Sequence, residues 1–233
     1  MRLSGWLKRS FIMRTTAAAG LLALAGGMHA EASSLALRLG RFAPTYDSAL
    51  WADNFDTFAI QDSDFQGIIG GVELGIQLNE FVDLTFGVDT SSRTAFTSYR
   101  DFVRDDGSEI IQDIRMEVTP VTAGVKFLPL GKYRRVSPYV GGGFGLYVYD
   151  YQEEGEFIDF DTFDVFDDLF FEQGVGTGAF ASVGVELAVS PSFRVFGEYR
   201  RHWASWDHRD DFDGFGKLDL NADQVSFGVS FQF

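Results

Sequence analysis

The sequence predicts an all-β chain, an eight-stranded antiparallel up-and-down transmembrane β-barrel preceded by a cleavable signal peptide. Three observations predict it. Apolar residues alternate with small or polar ones at period two in eight separate stretches. The connections between those stretches are alternately short and long. The faces opposite the apolar ones carry nearly balanced charge. A strand alternates its side chains between two faces, so each stretch reads as a two-faced strand. One strand alone cannot separate a water-soluble sandwich, with its apolar face inward, from a membrane barrel, with its apolar face on lipid. The decision rests on the set.

Residues 1–32 come first. Arg2, Lys8, Arg9 and Arg14 precede an apolar run at 17–27, and Ala30-Glu31-Ala32 supplies a small-x-small site. That order is that of a secretory signal peptide, and the run is too short to span a bilayer. Cleavage is expected after Ala32, with Ala30 as second choice. The domain assignment is therefore a signal peptide over 1–32 and a barrel over 33–233. No later window reaches the ~20 apolar residues of a membrane helix. The chain has no cysteine, which excludes disulfides and thiolate metal sites. The whole chain carries a net charge of −15; residues 1–32 hold four basic and one acidic residue, which leaves −18 for the remainder. So acidic a chain lacks the Lys and Arg that phosphate contacts need, and nucleic acid is not an expected partner.

The strands follow in order. Over 35–42, Leu35, Leu37 and Leu39 alternate with Ala36, Arg38 and Gly40. Over 65–78, Ile68, Val72, Leu74, Ile76 and Leu78 oppose Gly71, Glu73, Gly75 and Gln77. Over 81–91, Val82, Leu84, Phe86 and Val88 oppose Asp83, Thr85, Gly87 and Asp89. Over 114–127 the phase shifts: Ile114, Met116 and Val118 are even, whereas Val121, Ala123, Val125 and Phe127 are odd. Pro120 stands at the shift, and a bulge is expected there, because proline cannot donate to a ladder and a bulge adds the extra residue. Over 139–149, Val140, Phe144, Leu146 and Val148 oppose Tyr139, three glycines, Tyr147 and Tyr149. Over 178–189, Ala179, Ala181, Val183, Val185, Leu187 and Val189 oppose Phe180, Ser182, Gly184 and Glu186. Over 193–203, Phe193, Val195, Tyr199 and Trp203 oppose Arg194, Glu198, Arg200 and His202. The chain closes with Val225, Phe227, Val229, Phe231 and Phe233 against Ser226, Gly228, Ser230 and Gln232.

The connections at 79–80, 129–137 and 190–191 are short; those at 43–64, 93–113, 151–174 and 204–221 are long. Short turns at one end and long loops at the other suit an outer-membrane barrel better than a soluble one. The non-apolar faces carry Arg38, Arg115, Lys126, Arg194 and Arg200 against Glu73, Asp83, Asp89, Glu117, Glu186 and Glu198. Enclosed in a narrow barrel, these charges must pair, so a charge network filling the lumen is expected. Glycines on the same face make room for Arg and Tyr.

Ser226-x-Gly228-x-x-Phe231-x-Phe233 resembles the C-terminal signal that the outer-membrane insertion machinery reads in bacterial barrels. The stretch from Ser137 to Tyr147, Ser-Pro-Tyr-Val-Gly-Gly-Gly-Phe-Gly-Leu-Tyr, is similar to the fifth-strand pattern of the small OmpA-like/OmpX-like outer-membrane β-barrel superfamily, which the whole segment after residue 32 resembles. The resemblance implies export to the bacterial outer membrane. It also implies contact with outer-membrane lipid and lipopolysaccharide, and engagement of the insertion machinery through Gly228, Phe231 and Phe233. It says little about activity.

No cofactor, metal site or catalytic residue is expected. The enzyme alternative is a lipid A deacylase, a barrel family with a His-x-Ser pair and a Glu. Here the arrangement is His202-Trp-Ala-Ser205 with Glu198 nearby, and residues three apart on a regular strand face opposite sides. A third reading, an OmpW-like conduit for small hydrophobic molecules, needs a lateral gap or an apolar lumen. His202 and His208 have no second histidine at ligand spacing. The segment 151–174 interleaves nine acids with six phenylalanines and has no Lys or Arg; 43–64 adds Asp47, Asp53, Asp56, Asp62 and Asp64. Both read as solvated acidic loops facing outward. They could take weakly held divalent cations or a cationic protein surface. The order Asp211-x-Asp213-Gly214 is not that of an EF-hand. The short turn at 129–137, by contrast, carries Lys132, Arg134 and Arg135.

Overall fold

The computed structural model describes residues 33–45, 48–207 and 217–233. The signal-peptide reading of 1–32, Asp47, His208 and the 211–214 motif lie outside the described residues. Eight long strands close a ring: β1 (Ser33–Pro44), β2 (Gly67–Asn79), β3 (Val82–Val103), β4 (Glu109–Phe127), β5 (Val136–Ile158), β6 (Val165–Ser190), β7 (Phe193–Asp207) and, after a three-residue strand β8 (Lys217–Asp219), β9 (Ala222–Gln232). All neighbours are antiparallel, and β9 pairs with both β7 and β1, so the sheet has no free side along the ring. Helix α1 (Ala49–Thr57) and a 3₁₀ turn (Asp62–Phe65) lie between β1 and β2.

The strands turn their apolar residues outward. Phe144 is 77% exposed and Phe227 70%, and Leu39, Val140, Val183 and Val225 share that outer surface. The opposite face is buried and polar: Arg38, Glu73, Asp89, Glu198, Arg200 and Ser226 are all inside. A sandwich in water would have the reverse. Such an apolar outer belt is stable only in lipid. Aromatics mark both of its ends, with Phe81, Tyr133 and Phe233 towards the short turns and Tyr199 and Trp203 towards the other end. Gly228 faces inward, where a β-carbon would lie 2.4 Å from the Phe196 ring and 2.2 Å from the Leu37 carbonyl oxygen. Phe231 and Phe233 stand on the outer face.

Two expectations fail here. The bulge at Pro120 does not form: β4 keeps one register with β3 from Val82↔Phe127 to Ser98↔Ile111, and with β5 from Gln112↔Gly155 to Phe127↔Val140. Ile114, Met116 and Val118 therefore face inward and are buried. What changes at this height is the surroundings. Above the lipid belt the outer face meets water, and Thr90, Thr119, Asp150 and Gln173 occupy it, with hydrogen bonds Thr119–Thr90 (3.1 Å) and Gln173–Asp150 (3.0 Å). The inner face there is covered by α1 and turns apolar. The alternation inverts because the solvent inverts, with no slip in the backbone.

The second failure concerns the long loops. The segments 93–113 and 151–174 are mostly strand. β3 and β4 run on to a turn at 104–108, and β5 and β6 stay paired in one register out to Ile158↔Val165. The nine acids and the phenylalanines of 151–174 thus lie on a strand-paired hairpin standing clear of the belt. Inward Tyr151 and Phe157 anchor it, Phe157 packing edge-on to Phe170 at 4.7 Å. Mutual pairing of the two strands satisfies their backbone groups, which a solvated loop would leave to water.

Candidate functional site

The interior is built in layers from the short-turn end upward. At the floor, Lys132 reaches in from the β4–β5 turn and places Nζ 2.9 Å from Asp83 Oδ2. Arg194 donates to the Lys132 carbonyl and stands 3.5 Å from Glu186, which also accepts from Lys126 at 3.2 Å. Above them Glu73 joins Lys126 (3.3 Å), Arg200 (3.0 Å) and Arg38. Arg38 also pairs with Glu198 (2.9 Å) and Asp89 (3.4 Å), and Arg200 with Glu198 (3.1 Å) and Asp89 (3.8 Å). Tyr139 donates to the second Glu198 oxygen at 3.1 Å, and the Lys126 ammonium lies 4.7 Å above its ring. Gly184 makes this possible, since a β-carbon there would sit 2.4 Å from the Tyr139 ring. Among the described residues, five cations (Arg38, Lys126, Lys132, Arg194, Arg200) face five carboxylates (Glu73, Asp83, Asp89, Glu186, Glu198) inside the belt.

Nine of the eleven residues expected in this network are brought together: Arg38, Glu73, Asp83, Asp89, Lys126, Glu186, Arg194, Glu198 and Arg200. Arg115 and Glu117 are not. They lie on the outer face above the belt, where Arg115 pairs with Glu117 at 3.3 Å. Their misplacement follows from the bulge that does not form. Lys132, on the short turn at 129–137, is buried and belongs to the network too. It stands outside any regular strand, so no periodicity marks it; the signal available was Asp83, an inward acid at the strand end in need of a counter-charge.

Above the ions, His202 is fully buried between the Tyr147 hydroxyl (3.0 Å from Nδ1) and Gln224 Oε1 (2.9 Å from Nε2). Ser205 is exposed on the other face, and β6–β7 pairing continues unbroken from Ala188↔Arg194 to Thr177↔Ser205, with no bulge to bring the pair together. The two side chains therefore lie on opposite faces of β7, out of the hydrogen-bond contact that a base and its nucleophile need. Glu198 is engaged by Arg38, Arg200 and Tyr139.

The top layer is an apolar cluster beneath α1. Leu50, Trp51 and Asn54 form the buried side of this helix. Trp51 packs against Phe65 (4.8 Å), Tyr151 (5.7 Å) and Phe55 (6.0 Å). Asn54 donates to the Tyr151 hydroxyl (2.6 Å) and to Glu153 (3.0 Å), which also accepts from Tyr151 at 2.5 Å. Ala59 N–H donates to the Ser98 carbonyl at 2.9 Å, and Arg93 Nε to the Asp64 carbonyl at 2.9 Å, tying the cover to β3. Among the described residues, no three acidic or histidine side chains converge to hold a metal ion.

Glu153 stands above the lipid belt, and burial pushes its carboxyl up from the usual glutamate range, against the pull of the Tyr151 and Asn54 hydrogen bonds. An acid whose folded value is raised binds its proton more tightly in the folded state. Its contribution is greatest below the ordinary glutamate value and is lost as pH rises towards the raised one. Hydrogen exchange in 49–57, corrected for the intrinsic rate, is therefore expected to quicken as pH rises above the ordinary glutamate value, by a factor that shrinks in Glu153→Gln. Equal pH dependence in both proteins would remove Glu153 from the hold on the helix.

Residues 16–233 match the family model described as outer membrane protein beta-barrel domain. Among solved structures, the chain is similar to Ail, the attachment invasion locus protein of Yersinia pestis. The identity is 14% and the TM-score 0.48, with 88% of this chain and 99% of that one covered. It is similar also to the N-terminal β-barrel domain of Pseudomonas aeruginosa OprF (14%, TM-score 0.41, 88% and 100% covered) and to Neisserial surface protein A (16%, TM-score 0.44, 87% and 97% covered). No curated protein sequence matches it.

Proposed function

Since the chain belongs to the outer membrane protein beta-barrel domain family, we propose that it is an outer-membrane barrel closed to solute flow, which displays long acidic hairpins at the cell surface in a structural or surface-interaction role. The observation that carries this reading is the stack of ion pairs across the whole bore, from Lys132–Asp83 to Arg38–Glu198. Eight strands enclose a bore just wide enough for side chains. Opening it would leave buried charges unpaired, at several kcal/mol each. In planar bilayers the purified protein is expected to give no stable large conductance. A steady wide pore would overturn the reading.

The same reading sets the orientation. The short turns face the periplasm and the hairpins the exterior. The apolar belt contacts outer-membrane lipid, and its outer rim meets lipopolysaccharide. Phe231 and Phe233, outward at the periplasmic end, are the groups offered to the insertion machinery.

The conduit reading has one observation in its favour, the apolar upper lumen. Against it, that space is filled by the chain's own side chains, and the ring is hydrogen-bonded between every pair of neighbours through the belt. A passage would need both the cover and a strand pair to part.

A further inference from the structure

Between the two hairpin tips lies a cleft of about 590 Å³. Its floor is apolar, formed by the buried side chains of Ile110 and Ile158. Phe102 and Phe163 wall it, and Asp105, Asp106 and Asp164 stand at its rim. The volume falls within the range of small-molecule sites, roughly 300–1,000 Å³. We propose that this cleft binds a small organic cation with an apolar body, an alkyl- or arylammonium.

The charge of the rim decides the sign. Arg104 is the one cation lining the cleft, and it is already engaged: its guanidinium is paired with Glu156 and donates to Ser108 Oγ (3.3 Å) and the Glu109 carbonyl (3.1 Å). Asp106 is fixed by the Ser108 N–H (2.9 Å) and hydroxyl (2.7 Å). Three carboxylates thus face one neutralised arginine, and an anionic guest is repelled. The walls agree with the rim, because a ring face attracts an ammonium group.

The backbone holds one wall in an unusual conformation. Phe163 has φ +62°, a left-handed value rare for a bulky side chain, and its ring is 67% exposed at the lip. Its N–H donates to the Asp159 carbonyl at 2.6 Å, which closes the turn. Glycine would adopt this conformation freely.

The test uses the full chain in lipid nanodiscs, with empty nanodiscs as reference, titrated with phenethylammonium, phenethyl alcohol and 3-phenylpropionate. Saturable binding is expected in the order ammonium, alcohol, carboxylate, the first and last differing by about tenfold or more. Phe163→Gly should keep the fold and weaken phenethylammonium by about tenfold. Asp105→Asn with Asp164→Asn should abolish the preference for the cation while the alcohol still binds. Equal affinity for ammonium and carboxylate, uptake no different from empty nanodiscs, or an unchanged affinity in Phe163→Gly would each overturn the proposal. The titration is independent of conductance, so the cleft and the closed barrel can fail separately.

Discussion

Arg38→Met is expected to destabilise the barrel by about 3–5 kcal/mol, the cost of removing one partner from a buried ion pair. Arg38 contacts Glu73, Glu198 and Asp89, and its side chain is 1% exposed. Without it, three carboxylates share Lys126 and Arg200. Asp89 is the worst placed, since its remaining cation, Arg200, is 3.8 Å away. The double variant with Asp89→Asn should therefore recover part of the loss. Urea unfolding in detergent, followed by the shift between folded and unfolded bands on a gel, measures both. A loss below about 1 kcal/mol for Arg38→Met would mean that the interior is wet enough to screen its charges, as surface pairs are.

Trp51→Ala is expected to cost about 3–5 kcal/mol, the usual range for emptying a large aromatic from a packed core. The loss should be local. Trp51 is fully buried, but its partners are Phe55 and Phe65 of the cover and Tyr151 of β5, whereas the strand ladders close the ring without it. Hydrogen exchange and proteolysis should accelerate in 49–57 while the gel shift of the folded barrel is kept. The bilayer should stay unconductive, because the ion layers lie beneath the cover. Unchanged exchange in 49–57 would show that Asn54 and the contacts to β3 hold the helix without the tryptophan. Conduction in Trp51→Ala but not in Arg38→Met would place the closure in the cover instead of the ions.

The sequence by itself determined the barrel. Eight alternations, short turns at one end and nearly equal inner charges describe a closed sheet in lipid, since side-chain period and desolvation of charge act on each strand locally. It determined most of the network as well, because Arg38, Glu73, Glu198 and Arg200 sit on clean alternating faces. Three things only the tertiary structure decided. The inversion of faces above the belt looked like a bulge at Pro120, because a sequence records which residue is apolar but not where lipid ends and water begins. The hairpin at 151–174 looked like a loop: its acids alternate with nothing regular, and its order comes from pairing with a partner strand and from packing beneath the cover. The burial of Lys132 has no mark in the turn sequence, since the partner that draws it inside, Asp83, is brought near only when β3 and β4 pair.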